Sequence, residues 1–514
     1  MSIKTFAAID IGSYELSMKI FELSGKNNMR EIDHVRRRLD LGTGAYATGK
    51  LSADKLDELC RTLKEFVDLK DAYQVDACKA YATSAVRESD NSAIILDQIS
   101  QRTGLKVEVL GNAEQRFLDY KSIASKGESF RRIIEEKTAI VDIGGGSIQL
   151  SLFDNDTLVS TQNIRLGVLR IQELVHHLNV APSRMEMVVD EMVLAQLSAY
   201  KKLYLKDREI RNIIIVDDYI SPWAVKHVRR RGGEATINSA DFEELMRLLR
   251  TGSRIEIARM LDITEEKVPL VFISAILTRR IAECMEAEKI WAPGVTLCDG
   301  IAYEYGGSIK MFQEEHDFEQ DIVACAMNIS KRFMGSRKRA ETLEAIVTTI
   351  FDSMKKVHGM GKRERLYLRL AAILHDCGKY ISLVNIGETS YNIVVATEII
   401  GLSRKEREIV ANIVRFHHSP LDAHKQSVDN RIADERTHIL VMKLTAILRL
   451  AASLDRSHKQ KLKGIKAVLK DNRLILHADT MEDLTLEKGF FDSRAEFFHE
   501  VFGVMPVLKQ HKEF

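Results

Sequence analysis

The sequence predicts a duplicated α/β domain with a cleft between its halves, followed by an all-helical domain and a small α+β tail. The first observation is a repeat, because Asp-Ile-Gly-Ser at 10–13 recurs as Asp-Ile-Gly-Gly-Gly-Ser at 142–147, each after an apolar strand. The second is a change of pattern at about Phe312, where amphipathic helical spacing replaces strand signals. These observations divide the 514 residues into segments 1–125, 126–311, 312–460 and 461–514.

The first segment alternates strands and helices. Two apolar runs flank Gly12 and predict a hairpin, and Ser52 is the expected N-cap of a helix with apolar residues three and four apart. The predicted strands of the first two segments are 5–9, 16–23, 79–83, 106–110, 139–141 and 148–153. The predicted helices of the first segment are 51–69, 91–102 and 113–124.

The remaining segments change from helices to a mixed tail. Apolar spacing predicts helices at 340–354, 365–374, 391–400, 405–416 and 438–454. In the tail, strands at 465–469 and 474–478 flank Asp471-Asn472, which predicts a hairpin that turns at these two residues. A helix at 493–501 and a strand at 504–508 complete the chain.

Composition excludes several classes of protein. Lys plus Arg is 75 and Asp plus Glu is 74, so a net charge of +1 provides no general attraction to nucleic acid or to an anionic membrane. No signal peptide or long apolar run is present, and the six cysteines form no Cys-x-x-Cys pair. We therefore expect a cytoplasmic protein with reduced thiols and with neither nucleic-acid nor membrane partners.

The loop at 142–147 is the sharpest chemical signal. Consecutive glycines let backbone N–H groups approach an anion, and Asp142 at the strand end can hold a divalent cation beside it. The alternative is an ordinary glycine-rich hairpin. The second copy, with Asp10, Gly12 and Ser13, favours a pair of opposed phosphate loops.

Two further segments follow predicted strands. In 82–87, the Thr83 hydroxyl and the Arg87 guanidinium suit phosphate oxygens, whereas the alternative is a helix N-cap with a solvent-facing arginine. In 111–116, Glu114 suits a general base that activates water. The alternative there is a first-turn glutamate that interacts favourably with the helix dipole, and on its own that alternative is the better one.

In their order along the chain, these motifs resemble those of the exopolyphosphatase / guanosine pentaphosphate phosphohydrolase (Ppx/GppA) family over residues 1 to about 310. That family is a branch of the actin-like (ribonuclease H-like) ATPase fold, so the resemblance implies this fold for the two α/β halves. Glu114 aligns with the second acidic residue of the family's Ser-Gly-x-Glu-Glu-Ala-Arg. The other matching segments are 10–13, 82–87, 142–147, 166–170 and 298–301.

The resemblance implies release of terminal orthophosphate from inorganic polyphosphate by a Mg²⁺-dependent homodimer. The alternatives are hydrolysis of guanosine pentaphosphate and a non-catalytic regulator that binds polyphosphate or a nucleotide. Glu114 would be the base, Asp10 and Asp142 would hold Mg²⁺, and Arg87 and Gln149 would complete the catalytic set. The expected phosphate-binding residues are Gly12, Ser13, Thr83, Gly144, Gly145, Gly146 and Ser147.

Several positions depart from the family pattern. Gln149 stands where the family has a glutamate that helps hold the metal or the attacking water. Tyr14 replaces an asparagine, and Ala113 replaces the first glutamate of the Glu-Glu pair. Asp217-Asp218 stands where a third glycine-rich phosphate loop is expected, and two carboxylates there would repel a polyanion unless they bind a cation.

The helical segment contains His375-Asp376 after an apolar helix, which resembles HD-type metal phosphohydrolases. Asp455 suits the later aspartate of that superfamily, but no histidine occurs near 338–341, where the earlier ligand is expected. His417-His418 are further candidate ligands or a plain surface pair. We expect an HD-like domain kept for its architecture, and a metal held by His375, Asp376 and Asp455 is the alternative.

Overall fold

The computed structural model describes residues 3–25, 28–155, 157–229, 235–313, 316–419, 432, 434–462 and 464–511, with the side chains of 227–229 excepted. The chain forms two compact units, Met1–Asp317 and Phe318–Phe514. The finer division of each unit at 125/126 and at 460/461 stays a prediction. None of the helices in the described ranges is both long enough and apolar enough to span a bilayer.

The first unit contains two sheets of similar topology. The first has the order β3-β2-β1-β4-β5 and the second β10-β11-β9-β6-β7-β8. The strands of the first sheet are β1 Lys4–Ile11, β2 Glu15–Ser24, β3 Asn28–Arg38, β4 Ala77–Ala82 and β5 Val107–Val109. Those of the second sheet are β6 Thr138–Ile143, β7 Ile148–Asp154, β8 Thr157–Ile164, β9 Asn212–Asp217, β10 Thr236–Ile237 and β11 Lys289–Trp291.

The repeat predicted from the sequence is a structural repeat. In each sheet an antiparallel hairpin continues into a parallel neighbour, β1 with β4 and β6 with β9. Asp10 lies opposite Ser17 in the first hairpin, and Asp142 lies opposite Gln149 in the second. The two aspartates therefore occupy equivalent positions at the ends of equivalent central strands.

Helices cover both sheets of the first unit. Two separate clusters of buried apolar side chains form the cores, one beneath each sheet. The α-helices are Leu41–Thr48, Ala53–Ala72, Ser84–Arg87, Ser92–Thr103, Asn112–Ala124, Glu128–Ile134, Val168–His177, Met185–Tyr200, Ser221–Arg229, Ser239–Thr251, Arg254–Leu261, Val268–Met285 and Leu297–Ser308. Short 3₁₀ turns at Pro182–Arg184 and Glu265–Lys267 and a π-helical turn at Lys201–Leu205 adjoin them.

The second unit is mostly helical and ends in a three-stranded sheet. Its α-helices are Phe318–Arg332, Arg337–Ser353, Lys355–His358, Lys362–Leu374, Ile386–Ala396, Arg404–His418, Glu435–Ser453 and Thr485–Phe502, with a 3₁₀ turn at Cys377–Tyr380. The strands are β12 Ile465–Lys470, β13 Arg473–Asp479 and β14 Met505–His511. The tail hairpin is confirmed, because Asp471 and Asn472 have φ of 49° and 55°, as a two-residue hairpin turn requires.

The sequence-based prediction missed β3, β8, β9, β10 and β11, and for β3 the reason is polarity. β3 has largely exposed or half-buried side chains and includes four arginines, so it lacks the apolar alternation that marks a strand. It pairs with β2 through the backbone, and main-chain hydrogen bonding at a sheet edge does not require apolar side chains. The predicted helices form where they are expected, and the largest difference is in the tail, where the helix predicted at 493–501 spans Thr485–Phe502.

Candidate active site

The two glycine loops meet at a narrow cleft of about 90 Å³ in the first unit. Both strand-end aspartates, Asp10 and Asp142, line it. The other lining residues are Gly12, Ser13, Glu15, Ser17, Arg36, Thr83, Ser84, Gln115, Asp119, Ile143, Gly144, Gly145, Val216, Asp217, Asp218, Val295, Thr296 and Leu297. The structure thus brings together most of the predicted metal and phosphate ligands, which are far apart in sequence.

Three hydroxyl groups join the first loop to its neighbours. The Ser13 Oγ lies 2.7 Å from the Tyr46 hydroxyl and 2.8 Å from the Ser84 Oγ, and the last two atoms are 2.8 Å apart. A Cβ added to Gly146 would lie 2.5 Å from the Tyr46 hydroxyl, and one added to Gly145 would lie 3.1 Å from the Ser13 Cβ. The second loop therefore needs glycine because Tyr46 and the first loop pack directly against it.

The carbonyl groups of the second loop are bound by the helix Val168–His177. The Gly144 and Gly145 oxygens accept the backbone N–H groups of Val168 and Leu169 at 3.0 Å each. The Arg170 Nε donates to the Gly146 oxygen at 3.1 Å. Because a trans peptide directs its N–H opposite its C=O, the following N–H groups point away from this helix, as binding of an oxyanion on the other side requires.

Asp10, Asp119 and Asp142 are three of the acidic groups that line the cleft. Burial and the charge of Asp218 raise the pKa of Asp142 to about 7. Burial and the neighbouring carboxylates raise the pKa of Asp10 and of Asp119 well above their ordinary range. One oxygen of each, Asp10 Oδ1 and Asp119 Oδ2, accepts no hydrogen bond from a described residue. Such a group of acids is unfavourable when ionised unless a cation joins it.

The donor set fits Mg²⁺. Carboxylate oxygens are the ligands this ion prefers, and the unsatisfied oxygen of Asp10 is available for one. In the described ranges, no three His, Cys, Asp or Glu side chains are arranged to hold an ion by themselves. Mg²⁺ usually keeps several waters and takes one or two carboxylates plus substrate phosphates, so Asp10 and Asp142 suffice for this mode of binding.

Gln149 lies behind Asp142 rather than in the lining of the cleft. Its Nε2 donates to the Asp142 Oδ2 at 2.9 Å, which a glutamate could not do as an ionised group. Its Oε1 is buried and accepts no hydrogen bond from a described residue. Gln149 therefore orients Asp142 and adds no negative charge.

Glu114 lies at the start of the helix Asn112–Ala124. Its Oε2 accepts the Gly111 backbone N–H at 2.8 Å, which is the capping interaction of the alternative interpretation. Gln115 and Asp119, four residues apart on one helix face, line the cleft, whereas Glu114 does not. Its role as a base stays a prediction, because Glu114 is not among the residues that line the cleft.

Arg87 also lies outside the lining. Its Nη1 donates to the Leu110 carbonyl oxygen at 2.7 Å and to the Gln115 Oε1 at 3.3 Å. Arg87 thereby connects the end of one cleft helix to the beginning of another. Thr83 does line the cleft, and its hydroxyl donates to the Ile11 carbonyl oxygen at 3.3 Å.

The acidic pair at the end of β9 is divided between two roles. Asp217 accepts the backbone N–H groups of Ile220 and Ser221 at 2.9 and 2.7 Å, so it caps the helix Ser221–Arg229. The exposed Asp218 lines the cleft and raises the pKa of both Asp10 and Asp142. Both carboxylates therefore line the cleft, but the oxygens of Asp217 already accept hydrogen bonds from the chain.

Tyr14 belongs to the hydrophobic core of the second sheet. The Arg38 guanidinium lies 5.3 Å from its ring centroid and the Lys267 Nζ 5.9 Å. Its replacement of the family's asparagine is therefore accommodated by packing and by cation–π contacts.

A larger polar pocket of about 660 Å³ shares Arg36 and Thr296 with the cleft. On its wall, the Lys19 Nζ lies 2.8 Å from Asp299 and 2.9 Å from Glu31. The Arg36 Nε donates to the His34 Nε2 at 3.0 Å, and burial lowers the pKa of His34 to about 4. His34 is therefore neutral, with its proton on Nδ1. The other lining residues are Phe21, Asn28, Met29, Ala124, Ser125, Lys126, Gly127, Phe130, Arg131, Val225, Gly294, Tyr303 and His316.

Sequence reasoning missed Asp119 and Tyr46. Asp119 had a detectable signal, since it follows Gln115 by four residues on a helix that begins at a strand end. Tyr46 had none, because its contacts with Ser13 and Ser84 depend on how the helix Leu41–Thr48 folds back on the first loop.

Comparison with known families agrees with this geometry. A profile described as the Ppx/GppA phosphatase family matches residues 20–307, and one described as Ppx/GppA phosphatase, domain III, matches residues 324–495. The chain belongs to the Ppx/GppA phosphatase family. It is therefore an enzyme of a family that hydrolyses phosphoric anhydride bonds.

Individual relatives of this Ppx/GppA chain are distant. It is 20% identical over 482 residues to the guanosine-5'-triphosphate,3'-diphosphate pyrophosphatase of Photobacterium profundum, covering 92% of this chain and 91% of the relative. The crystal structure of an exopolyphosphatase from Cytophaga hutchinsonii ATCC 33406 is 18% identical, with a TM-score of 0.51, covering 60% of this chain and 100% of that one. An exopolyphosphatase-like protein is 19% identical, with a TM-score of 0.52 and the same coverage. These structures share the fold.

In the helical unit of this Ppx/GppA chain, the His375-Asp376 pair lies in a network of hydrogen bonds. The His375 Nδ1 bonds the Ala372 carbonyl oxygen at 2.7 Å, and its Nε2 lies 3.2 Å from the Asp376 Oδ2. Lys379 Nζ donates to that same Asp376 oxygen at 2.7 Å. The His418 Nε2 bonds the His375 carbonyl oxygen at 2.8 Å, although His418 as a whole is exposed.

Arg339 lies between the two candidate metal-binding aspartates. Its Nη1 donates to the Asp376 Oδ2 at 2.9 Å, and its Nε lies 3.8 Å from the Asp455 Oδ2. Gln460 further donates to both oxygens of Asp455. Because a buried guanidinium already neutralises these carboxylates at the place where sequence reasoning sought a histidine, His375, Asp376 and Asp455 do not fit a metal ion.

Proposed function

We propose that this Ppx/GppA phosphatase releases terminal orthophosphate from inorganic polyphosphate with the help of Mg²⁺. The observation that carries the proposal is the meeting of two equivalent loops around Asp10 and Asp142 in a narrow cleft. The cleft offers hydroxyl groups, loop backbone and carboxylates, which suit a phosphate chain with a cation.

In this mechanism the two loops hold the terminal phosphoryl group from opposite sides. The N–H groups of the second loop and the hydroxyls of Ser13 and Thr83 would donate to its oxygens as negative charge develops. Mg²⁺, held by Asp10 and Asp142, would neutralise charge on the phosphate oxygens. Gln149 would keep the Asp142 carboxylate oriented toward the cation.

Glu114 is the proposed base that takes a proton from the attacking water. It starts from its cap position, so its carboxylate has to leave the Gly111 N–H before it can reach the cleft. Exchange of a capping hydrogen bond costs on the order of 1 kcal/mol, which a bound substrate can readily offset.

Guanosine pentaphosphate is the second candidate substrate, and the larger pocket is the observation that favours it. The pocket adjoins the phosphate cleft at Arg36 and Thr296 and presents both donors and acceptors, as a nucleoside requires. The Photobacterium relative named for this substrate class also matches almost the whole chain.

A phosphate-release assay with each substrate, with and without Mg²⁺, tests the proposal. A Lys126→Ala/Arg131→Ala variant discriminates the substrates, because both residues line the larger pocket and neither lines the cleft. Loss of kcat/KM for guanosine pentaphosphate alone would assign that pocket to a nucleoside. Phosphate binding without release from either substrate would identify a non-catalytic regulator.

For the second unit we propose an HD-like architecture that has lost its metal. The His375-Asp376 pair follows the helix Lys362–Leu374, and Asp455 follows the helix Glu435–Ser453, the order that the resemblance implies. The six cysteines are free, which suits a reducing compartment such as the cytoplasm, and a homodimer is the oligomeric state that the family resemblance implies.

A further inference from the structure

Asp119 is the most buried carboxylate of the cleft that neither the motifs nor the proposed mechanism uses. It is 4% exposed, lies on the helix Asn112–Ala124 and faces Asp10 and Asp142. The neighbouring Asp142 is among the causes that raise its pKa, and its Oδ2 accepts no hydrogen bond from a described residue. A buried, unsatisfied carboxylate is costly, so its presence here calls for a ligand.

Gln149 indicates that a cation in this cleft lacks one of the carboxylates that the family pattern provides. At this position the family resemblance expects a glutamate near the metal, and Gln149 has no charge to offer. Its Nε2 is already engaged with the Asp142 Oδ2 at 2.9 Å. The hairpin therefore brings one carboxylate fewer to the cleft than its family pattern predicts.

Building on the proposed metal-assisted hydrolysis, we propose that Asp119 supplies to the cation the carboxylate that Gln149 lacks. The acidic ligand beside Asp142 then comes from the helix Asn112–Ala124 instead of from β7. The described residues contain no ready-made set of three such ligands, so waters and phosphate oxygens would supply most of the oxygens that a hard cation requires. The family pattern has a carboxylate at position 149 on β7, whereas this chain has an uncharged Gln149 there and a carboxylate at Asp119 on the helix Asn112–Ala124.

Titration of the full chain with Mn²⁺ by calorimetry, without substrate, measures this role directly. Asp119→Asn removes the charge at nearly constant volume and should weaken Mn²⁺ binding by about 10- to 100-fold. Gln149→Glu in the Asp119→Asn background should restore binding toward the wild-type value, because the charge returns on the other side of Asp142. Asp241→Asn is the control, since Asp241 is also buried but does not line the cleft.

Two results would overturn the proposal. One is wild-type Mn²⁺ affinity in Asp119→Asn. The other is a double variant that binds as weakly as Asp119→Asn. Folding is checked by the thermal midpoint without metal, which should not fall in Asp119→Asn, because the substitution relieves repulsion among buried acids. If the midpoint does fall, Asp119→Ala and the double variant are titrated with Mn²⁺ at a temperature below that midpoint. Equal Mn²⁺ affinity of these two variants would again refute the proposal, because a glutamate at position 149 would not have replaced the carboxylate of Asp119.

The metal titration also separates this inference from the proposed function. Weakened Mn²⁺ binding in Asp119→Asn together with a wild type that hydrolyses neither substrate would support the metal ligand and refute the phosphatase assignment. If the wild type is active and Asp119→Asn binds Mn²⁺ as tightly as the wild type, the phosphatase assignment is supported and the role of Asp119 as a metal ligand is refuted.

Discussion

The Arg339 guanidinium donates to the Asp376 carboxylate at 2.9 Å, and both side chains are largely buried in the helical unit. Burial acts to raise the pKa of Asp376, but its contacts with His375 and Arg339 hold that pKa well below its ordinary range. The pair joins the helix Arg337–Ser353 to the end of the helix Lys362–Leu374. A cation from the chain itself therefore stabilises this site.

Replacing Arg339 by Met should strongly destabilise the protein. Removal of one partner leaves Asp376 and Asp455 buried without their guanidinium, a change that costs about 3–5 kcal/mol. The free energy of unfolding in urea measures the loss. Arg337→Met is the matched control, because Arg337 is 86% exposed on the same helix and its ion pair with Glu341 contributes little. Equal stability of the two variants would contradict the prediction.

Replacing Gly146 by Ala should sharply reduce activity. The added Cβ would lie 2.5 Å from the Tyr46 hydroxyl and would push the second loop away from the helix Leu41–Thr48. Tyr46→Phe in the same chain should recover part of the lost kcat/KM, because it removes the nearest atom. Gly44→Ala is the control, since nothing lies within 4 Å of its added Cβ. A Gly146→Ala enzyme with full activity would show that the loops do not need this contact.

Replacing Glu114 by Gln tests the proposed base without removing the helix cap. The amide oxygen of glutamine can still accept the Gly111 N–H, but it cannot take a proton from water. The catalytic rate should fall by about 10²- to 10⁴-fold at similar KM. Glu364→Gln is the control, because Glu364 caps its helix through the Gly361 N–H in the same way. Full activity of Glu114→Gln would place the base elsewhere.

The pKa of Asp142 predicts how metal-free stability depends on pH. The folded-state pKa of about 7 lies above the unfolded value, so the folded protein holds the extra proton between about pH 4 and 7. Asp142 therefore contributes stability that is present at low pH and lost as pH rises through about 7, with a slope of about 1.4 kcal/mol per unit.

The experiment compares unfolding in urea from pH 5 to 8 for the wild type and Asp142→Asn. Burial lowers the pKa of His34 and of His418 to about 4, so these groups act in the opposite direction below pH 6.5. They are common to both proteins and cancel in the difference. The wild type should lose stability relative to Asp142→Asn as pH rises, and Mg²⁺ should remove that loss. A difference independent of pH would mean that Asp142 is already ionised when folded.

Much of the fold was predictable from the sequence because its signals are local. The two hairpins around Gly12 and Gly144 were expected from short apolar runs on either side of a glycine turn. The Ser52 cap and the hairpin at Asp471-Asn472 likewise depend on neighbouring residues alone. β3 was missed because pairing with β2 holds it, and its own side chains carry no apolar alternation.

The site was predictable only in part. A strand carries its last residue to the edge of a sheet, so Asp10 and Asp142 could be placed at one cleft from the repeat. Whether Glu114 or its neighbour faces that cleft depends on helix phase, since successive residues point about 100° apart. The structure places Gln115 and Asp119 in the lining and Glu114 at the cap.

By itself, the sequence determined the duplicated hairpins, the glycine loops and the change to a helical unit, because periodicity and turn chemistry act over a few residues. The tertiary structure alone decided which charges meet. Arg339 lies between Asp376 and Asp455, and Asp119 lies beside Asp142, although these residues belong to separate elements. Electrostatic energy depends on distance and burial in space, and neither quantity is encoded in the spacing of residues along a chain.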